Sequence, residues 1–214
     1  MKNILLVGGG GHCASVADAL IKTGNYKKIG IVDTKEESLF DEIPVVGTDD
    51  DLPELQKAGY NYSFISVGSI GNVILRRKLF SLVLNLKFEI PNIIDPSAEI
   101  SQHATLGKGI FVGKNAVINA QSNIGDAAII NTGAVVEHDC EIGAFAHISP
   151  GATLCGNVKI GTDSHVGAGS VVIQGLHIGK RVIIGAGTVV IHDIEDDCTV
   201  VGNPGKVIRK KMKE

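Results

Sequence analysis

The sequence predicts two successive folds, a small α/β parallel sheet and then a parallel β-helix, on three observations. Composition changes near residue 93: all three tyrosines and four of the six phenylalanines precede it, and glycine and alanine become dense after it. Before that point, short apolar runs alternate with stretches of helical spacing. Beyond it, an aliphatic residue recurs every six positions with no interruption.

In the first half, "NILLVG" (Asn3–Gly8) is a short apolar run ending in glycines, as a buried parallel strand does. "HCASVADALIKTG" follows with Val16, Ala19 and Leu20 on one helical face and Gly24 as the stop. "KKIGIVD" (Lys27–Asp33) reads as a second strand, "DDDLPELQKAG" as a capped short helix and "YSFISVGS" as a third strand. A last helix carries Ile74, Leu75, Leu79 and Leu82. The order βαβαβα implies parallel strands with right-handed crossovers.

The second half starts at Ile94. Stepping by six gives Ile94, Ile100, Leu106, Val112 and so on to Val190, and all seventeen anchors are Ile, Leu or Val. The next step lands on Asp196, where the pattern stops. Four residues after an anchor the side chain is usually small, as at Ala116, Ala134, Cys140, Ala152 and Ser170. Glycine often follows the anchor directly and is read here as permitting the corner. With three hexads per triangular coil, residues eighteen apart stack, and each coil rises by roughly 4.8 Å. The expected domains are 1–93, a small sheet domain; 94–195, the β-helix; and 196–214, a C-terminal loop and basic tail.

Bulk properties exclude several classes. A net charge of −3 gives no reason to expect nucleic acid or an anionic membrane as partner, and the absence of tryptophan argues against a base-stacking platform. The opening apolar run is too short for a signal peptide, and no stretch reaches the roughly 18 apolar residues of a membrane-spanning helix. Cys13, Cys140, Cys155 and Cys198 form no CxxC and read as reduced thiols of a cytoplasmic protein.

The chemistry concentrates in "NTGAVVEHDCEIGAFAHISPGA" (Asn131–Ala152). His138 lies two positions after an anchor, where side chains point outward. The eighteen-residue register stacks Gly156 on His138 and His165 on His147. His138 and His147 are half a coil apart and fall on different faces, so they meet more easily across a subunit interface. Neutral imidazole can accept a proton from an attacking amine or hydroxyl, which makes His138 a candidate general base. Asp139 or Glu137 could orient it. A solvated turn histidine is the plainer alternative. Cys140 falls in an inward slot and reads as core. Gly8-x-Gly10 begins a phosphate-binding fingerprint that Cys13 leaves incomplete. Its backbone N–H groups and helix N-terminus could still hold a phosphate, or the loop could be only a tight turn. Asp33 lies where a ribose-binding acid would.

These features have a family counterpart. "VGGGGHCASV", "IIDPSAEI", "NTGAVVEHDCEIG", "HISPGATLCGNVKIG" and "VVGNPGKVI" occur in family order, and the chain resembles the NeuD/PglD-like sugar acyltransferases of the hexapeptide-repeat superfamily. The resemblance implies a left-handed β-helix behind a Rossmann-like domain, a homotrimer with active sites between subunits, and acetyl-CoA as co-substrate without a metal. It implies direct acetyl transfer to the 4-amino group of a UDP-linked sugar for surface glycan synthesis. His138 would be the base, Asp139 its orienting acid, and Gly156 the backbone donor to the oxyanion. His147, Ala168 and Ala186 would line the acetyl-CoA groove and Asn131 would face the acceptor. Gly10, Gly11 and His12 would lie by the phosphates and sugar, Asp33 by the nucleoside and Gly68 beneath it. The basic tail is either solvated or contacts the CoA phosphates through Lys206 or Arg209. "VGSIGNVILRRK" is longer than the family pattern at that point, which bears on the nucleotide or sugar accepted.

Three other readings are weighed. An O-acetyltransferase acting on a sialic acid would use the same His138. A zinc lyase on the same β-helix would need a third ligand beside His103 and His138, and that position holds Gly143. A purely structural β-helix would need no His–Asp pair.

Overall fold

A computed structural model describes residues 2–35 and 43–210. The chain divides into two compact units, residues 1–69 with 73–96, and residues 70–72 with 97–214.

The first unit contains β1 (Lys2–Val7), α1 (Gly11–Thr23), β2 (Tyr26–Val32), β3 (Val45–Gly47), α2 (Leu52–Lys57), β4 (Tyr62–Ile65) and α3 (Ile74–Asn85). The sheet is parallel with order β3-β2-β1-β4. Its centre is β1, whose Ile4, Leu5, Leu6 and Val7 are fully buried, as its unbroken apolar run requires. Val16, Ala17, Ala19 and Leu20 of α1 are buried with them, and Gly24 ends α1 in the left-handed conformation at φ 62°. Before α2, Thr48 and Asp51 form a reciprocal capping box. The three-residue β3 was not expected; it is too short for a pattern, and it is paired to Ile31 and Val32 of β2. The inward face of α3 also differs from the apolar residues singled out in its sequence. Arg76, Leu79, Phe80 and Val83 are buried, while Ile74 and Leu75 are exposed.

The second unit is a three-faced parallel β-helix. The first face stacks Thr105–Leu106, Asn123–Ile124, Glu141–Ile142, Lys159–Ile160 and His177–Ile178. The second includes Phe111–Val112, Ile129–Ile130, His147–Ile148, His165–Val166 and Ile183–Ile184. The third runs from Glu99–Ile100 through Val135–Val136 and Thr153–Leu154 to Val189–Val190. Paired residues are eighteen apart, as in Glu141↔Lys159 and His147↔His165. Every anchor from Val112 to Val190 is buried.

Two details correct the sequence expectation. The left-handed corner falls three residues after the anchor, at Asn115, Gln121, Asp139, Asn157 and their equivalents between residues 109 and 187, each with φ between 53° and 73°. The glycines directly after anchors serve close approach instead. A Cβ on Gly143 would lie 2.5 Å from the Thr162 nitrogen and one on Gly125 2.6 Å from the Ala144 nitrogen, so the next coil's backbone occupies that space. The segment expected as a C-terminal loop is also ordered otherwise. Cys198–Val201 pairs parallel with Ile183–Ile184, and Lys206–Lys210 returns antiparallel along it. Residues 211–214 of the basic tail lie outside the described residues.

Candidate active site

His138 and Asp139 occupy the corner between the third-face strand Val135–Val136 and the first-face strand Glu141–Ile142. Asp139 is itself the left-handed residue of that corner, at φ 61°. Its carboxylate turns back on the preceding ring, and His138 Nδ1 donates to Asp139 Oδ2 at 2.7 Å. This fixes the tautomer with the lone pair on Nε2. Among the described residues nothing hydrogen-bonds Nε2. The hydrogen bond to Asp139 holds His138 above the usual imidazole range; desolvation opposes it, and the charges of Asp139 and Glu137 add smaller help.

Glu137 is engaged elsewhere. Its Oε2 accepts from Asn119 Nδ2 at 3.0 Å and from the His138 backbone N–H at 3.3 Å. Between the two acids left open by the sequence, only Asp139 touches the imidazole. Gly156 lies against the ring one coil later. A Cβ there would be 2.6 Å from both Cε1 and Nε2 of His138, so no other residue fits without moving the imidazole. The chain stays in register beside it, with the Asn157 N–H donating to the His138 carbonyl at 2.8 Å. The Gly156 N–H meets no acceptor among the described residues. One corner thus offers an unengaged basic nitrogen and an unengaged backbone donor. Cys140 is buried, its thiol donates to the Cys155 carbonyl at 3.3 Å, and burial pushes it up to about 11. It is a core residue, unsuited to nucleophilic attack.

His147 is not part of that corner. It is buried on the second face, its Nε2 accepting from Asn131 Nδ2 at 3.1 Å. Its ring meets His165 edge-to-face with centroids 5.0 Å apart. Burial pushes His165 below the usual imidazole range, so it is neutral, and its Nε2 lies 3.4 Å from Ser149 Oγ. Ala168 and Ala186 are exposed one coil apart at the corner between the second and third faces. Within one chain the acetyl-CoA residues expected from sequence and the His138 group therefore stand on different corners. The position of a third zinc ligand, Gly143, has no room for a side chain. Lys206 and Arg209 are exposed on the last strand.

In the first unit, Gly8 to Gly11 connect β1 to the N-terminus of α1. Gly10 precedes the helix with no side-chain cap, and a Cβ on Gly10 or Gly11 would meet nothing within 4 Å. Among the described residues the loop thus has open space beside Gly10 and Gly11 at the N-terminus of α1, and a helix N-terminus suits a phosphate. Asp33 braces this loop. Its Oδ2 accepts from the Gly9 N–H at 2.6 Å and its Oδ1 from the Lys35 N–H at 2.9 Å. Desolvation works against the charge, yet these backbone donors and Thr34 together hold the carboxyl below its usual range. Gly68 lies against His12, where a Cβ would be 3.3 Å from His12 Cβ. Gly10, Gly11, His12, Asp33 and Gly68 are thus gathered at the carboxyl end of the sheet.

Comparisons with known proteins agree with both halves. Residues 3–83 match the family described as the PglD N-terminal domain, and residues 142–174 match the bacterial transferase hexapeptide (six repeats). No curated protein matched. A crystal structure of a mutant GDP-perosamine N-acetyltransferase from Caulobacter crescentus, in complex with CoA and GDP-perosamine, is 38% identical with a TM-score of 0.92, over 98% of each chain. The acetyltransferase domain of PglB from Neisseria gonorrhoeae, in complex with acetyl coenzyme A, is 37% identical with a TM-score of 0.91, over 97% of this chain and 99% of that one. WeeI from Acinetobacter baumannii shares the fold at 23% identity and a TM-score of 0.80, over 97% of this chain and 100% of that one. The class is that of a hexapeptide-repeat acyltransferase carrying a PglD-type N-terminal domain. Within it, the chain belongs to the PglD-like family of sugar acetyltransferases.

Proposed function

We propose that this protein transfers an acetyl group from acetyl-CoA to the amino group of a nucleoside-diphosphate-linked 4-amino sugar. The observation that carries the reading is the His138–Asp139 pair with Gly156 against the ring. The acceptor nitrogen attacks the thioester carbonyl while His138 Nε2 takes its proton. Asp139 stays ionised and stabilises the imidazolium. The Gly156 N–H donates to the oxyanion of the tetrahedral adduct. Collapse of the adduct expels the CoA thiolate, which takes the proton back from His138.

The sugar nucleotide binds at the glycine loop, its phosphates before the N-terminus of α1. UDP is the nucleotide expected from the family resemblance. GDP is the alternative favoured by the perosamine enzyme, which is 38% identical to this chain. Asn131 faces the acceptor, with its amide held by His147. His138 stands on an outer corner with its side chain 60% exposed, so a single chain supplies little exclusion of water. A homotrimer completes the site, bringing the Ala168–Ala186 corner of one chain to the His138 corner of the next. The product feeds surface glycan synthesis. Both substrates are cytoplasmic metabolites, which is where the reaction belongs; among the described residues no helix is long and apolar enough to cross a membrane.

The test is acetylation of a panel, UDP- and GDP-linked 4-amino sugars beside free sialic acids, read by product mass. Acetylation of one nucleotide-linked amino sugar supports the reading and names the nucleotide. Acetylation of a sialic acid alone would replace it with the O-acetyltransferase. No acetylation of any acceptor would overturn both.

A further inference from the structure

In the described part of the first unit two charged side chains outside the proposed chemistry are almost wholly buried: Asp95, which faces Lys22 at 3.6 Å, and Arg76. Arg76, in the first turn of α3, is 1% exposed. Its Nη1 donates to the Ile65 carbonyl at 2.7 Å and to the Val67 carbonyl at 2.6 Å. Burial pushes this guanidinium down to about 10, still far above neutrality, so it is a cation inside the fold. Burying a charge is costly unless it is paired or hydrogen-bonded, so these carbonyl contacts offset part of the cost of placing Arg76 here.

What it holds is the segment leaving β4. Ile65 is the last residue of that strand, and Val67 and Gly68 continue beyond it. The same segment is tied from the other side. The Ser66 N–H donates to the Val7 carbonyl at 2.9 Å, and Ser66 Oγ donates to the Gly8 carbonyl at 2.6 Å. Gly8 approaches so closely that a Cβ on it would lie 2.3 Å from Val67 Cγ2. The sheet order makes this place special. From β1 the chain first moves to β2, and β4 then adds on the opposite side of β1. The crevice between the loops after β1 and β4 is therefore a topological switch point, where open α/β sheets bind ligands. The glycine loop forms one wall. The segment from Ser66 to Gly68, against His12, forms the other.

We infer that Arg76 is a positioning residue for the sugar nucleotide: by holding the Ile65 and Val67 carbonyls, it sets the second wall of the nucleotide crevice at a fixed distance from the glycine loop. The inference rests on the proposed site for the nucleotide at that loop. Arg76 touches no reacting atom, so its loss falls on binding of one substrate. Lysine keeps the charge, but its ammonium ends short of the position from which the arginine's outer nitrogen, Nη1, serves both carbonyls.

The experiment compares wild type, Arg76→Lys and Ser66→Ala, which cuts the tie from the opposite wall. It measures UDP and GDP binding by calorimetry, KM for each substrate, kcat and thermal unfolding. The expected result for Arg76→Lys is roughly a tenfold rise in KM for the sugar nucleotide, matched by weaker nucleotide binding. The KM for acetyl-CoA stays put and kcat falls by less than about threefold. Ser66→Ala shifts the same parameter by a smaller factor. If Arg76→Lys does not fold, Ser66→Ala alone decides, since it deletes only a hydroxyl. Nucleotide binding that stays within twofold of wild type in the folded variants, with only the melting temperature lowered, would overturn the inference. Failure of the wild-type protein to bind either nucleotide would instead remove the nucleotide site itself.

Discussion

Replacing Gly156 by alanine tests the active-site geometry at one atom. The added Cβ would sit 2.6 Å from His138 Cε1 and Nε2, whereas ordinary contact begins at 3.4 Å. The backbone there is not left-handed, so alanine fits the main chain. The imidazole must retreat by about 0.8 Å or rotate, and a misplacement of about 1 Å can cost on the order of a hundredfold in rate. Because the His138 side chain is 60% exposed, the ring can move without disturbing the core. The expected outcome is a kcat lower by roughly two orders of magnitude, with stability changed by less than about 0.5 kcal/mol. The assay is continuous detection of the CoA thiol, beside thermal unfolding. The variant is also made in a His138→Ala background, where it should cost almost nothing further, because the ring it displaces is gone. Full activity in Gly156→Ala would refute the reasoning, as would equal losses in both backgrounds.

Other outcomes follow from the same contacts. Asp139→Asn removes the carboxylate that raises His138, and His138 must be neutral to accept a proton. The acid limb of the kcat profile should therefore lie above the unperturbed imidazole value of about 6.5 in wild type and move to lower pH in the variant, with a lower plateau. Glu137→Gln leaves the Nδ1 contact intact, so steady-state kinetics should show a smaller loss than Asp139→Asn. Gly143→Ala drives a Cβ to 2.5 Å from the Thr162 nitrogen in the next coil. Backbone cannot yield there as a side chain can, and denaturant titration should show a loss of about 1–3 kcal/mol or more. Ile148→Ala empties a fully buried anchor and should cost about 2–5 kcal/mol in the same titration.

The β-helix was legible because its signal is repeated in every coil. Anchors six apart and stacks eighteen apart follow from one period, and the pairing of His147 with His165 follows from subtraction. The proximity of Gly156 to His138 was legible for the same reason. The corner was misplaced because glycine has two uses. Next to an anchor it makes room for backbone, while the left-handed position three residues on accepts Asn, Asp, Gln and even Phe145 at φ 59°. The choice of acid beside His138 was not legible from spacing, since both neighbours are acidic. It depends on the corner turning Asp139 back on the ring while Asn119 holds Glu137. In the first unit, the residues expected to carry the last helix are Ile74, Leu75, Leu79 and Leu82, and Arg76 is not among them. The spacing of Arg76, Leu79, Phe80 and Val83 is helical, and with hindsight it gives the inward face. Nothing local marks which arginine is buried, because its partners are carbonyls of a separate strand segment.

The most direct test of the central claim is the rate of acetyl transfer by His138→Asn at saturating acetyl-CoA and nucleotide-linked amino sugar. Asparagine retains a polar side chain but has no basic nitrogen. General-base catalysis by His138 predicts a fall in kcat of about 10²–10⁴-fold with both KM values nearly unchanged. A kcat within a few-fold of wild type would contradict it and move the base to another residue.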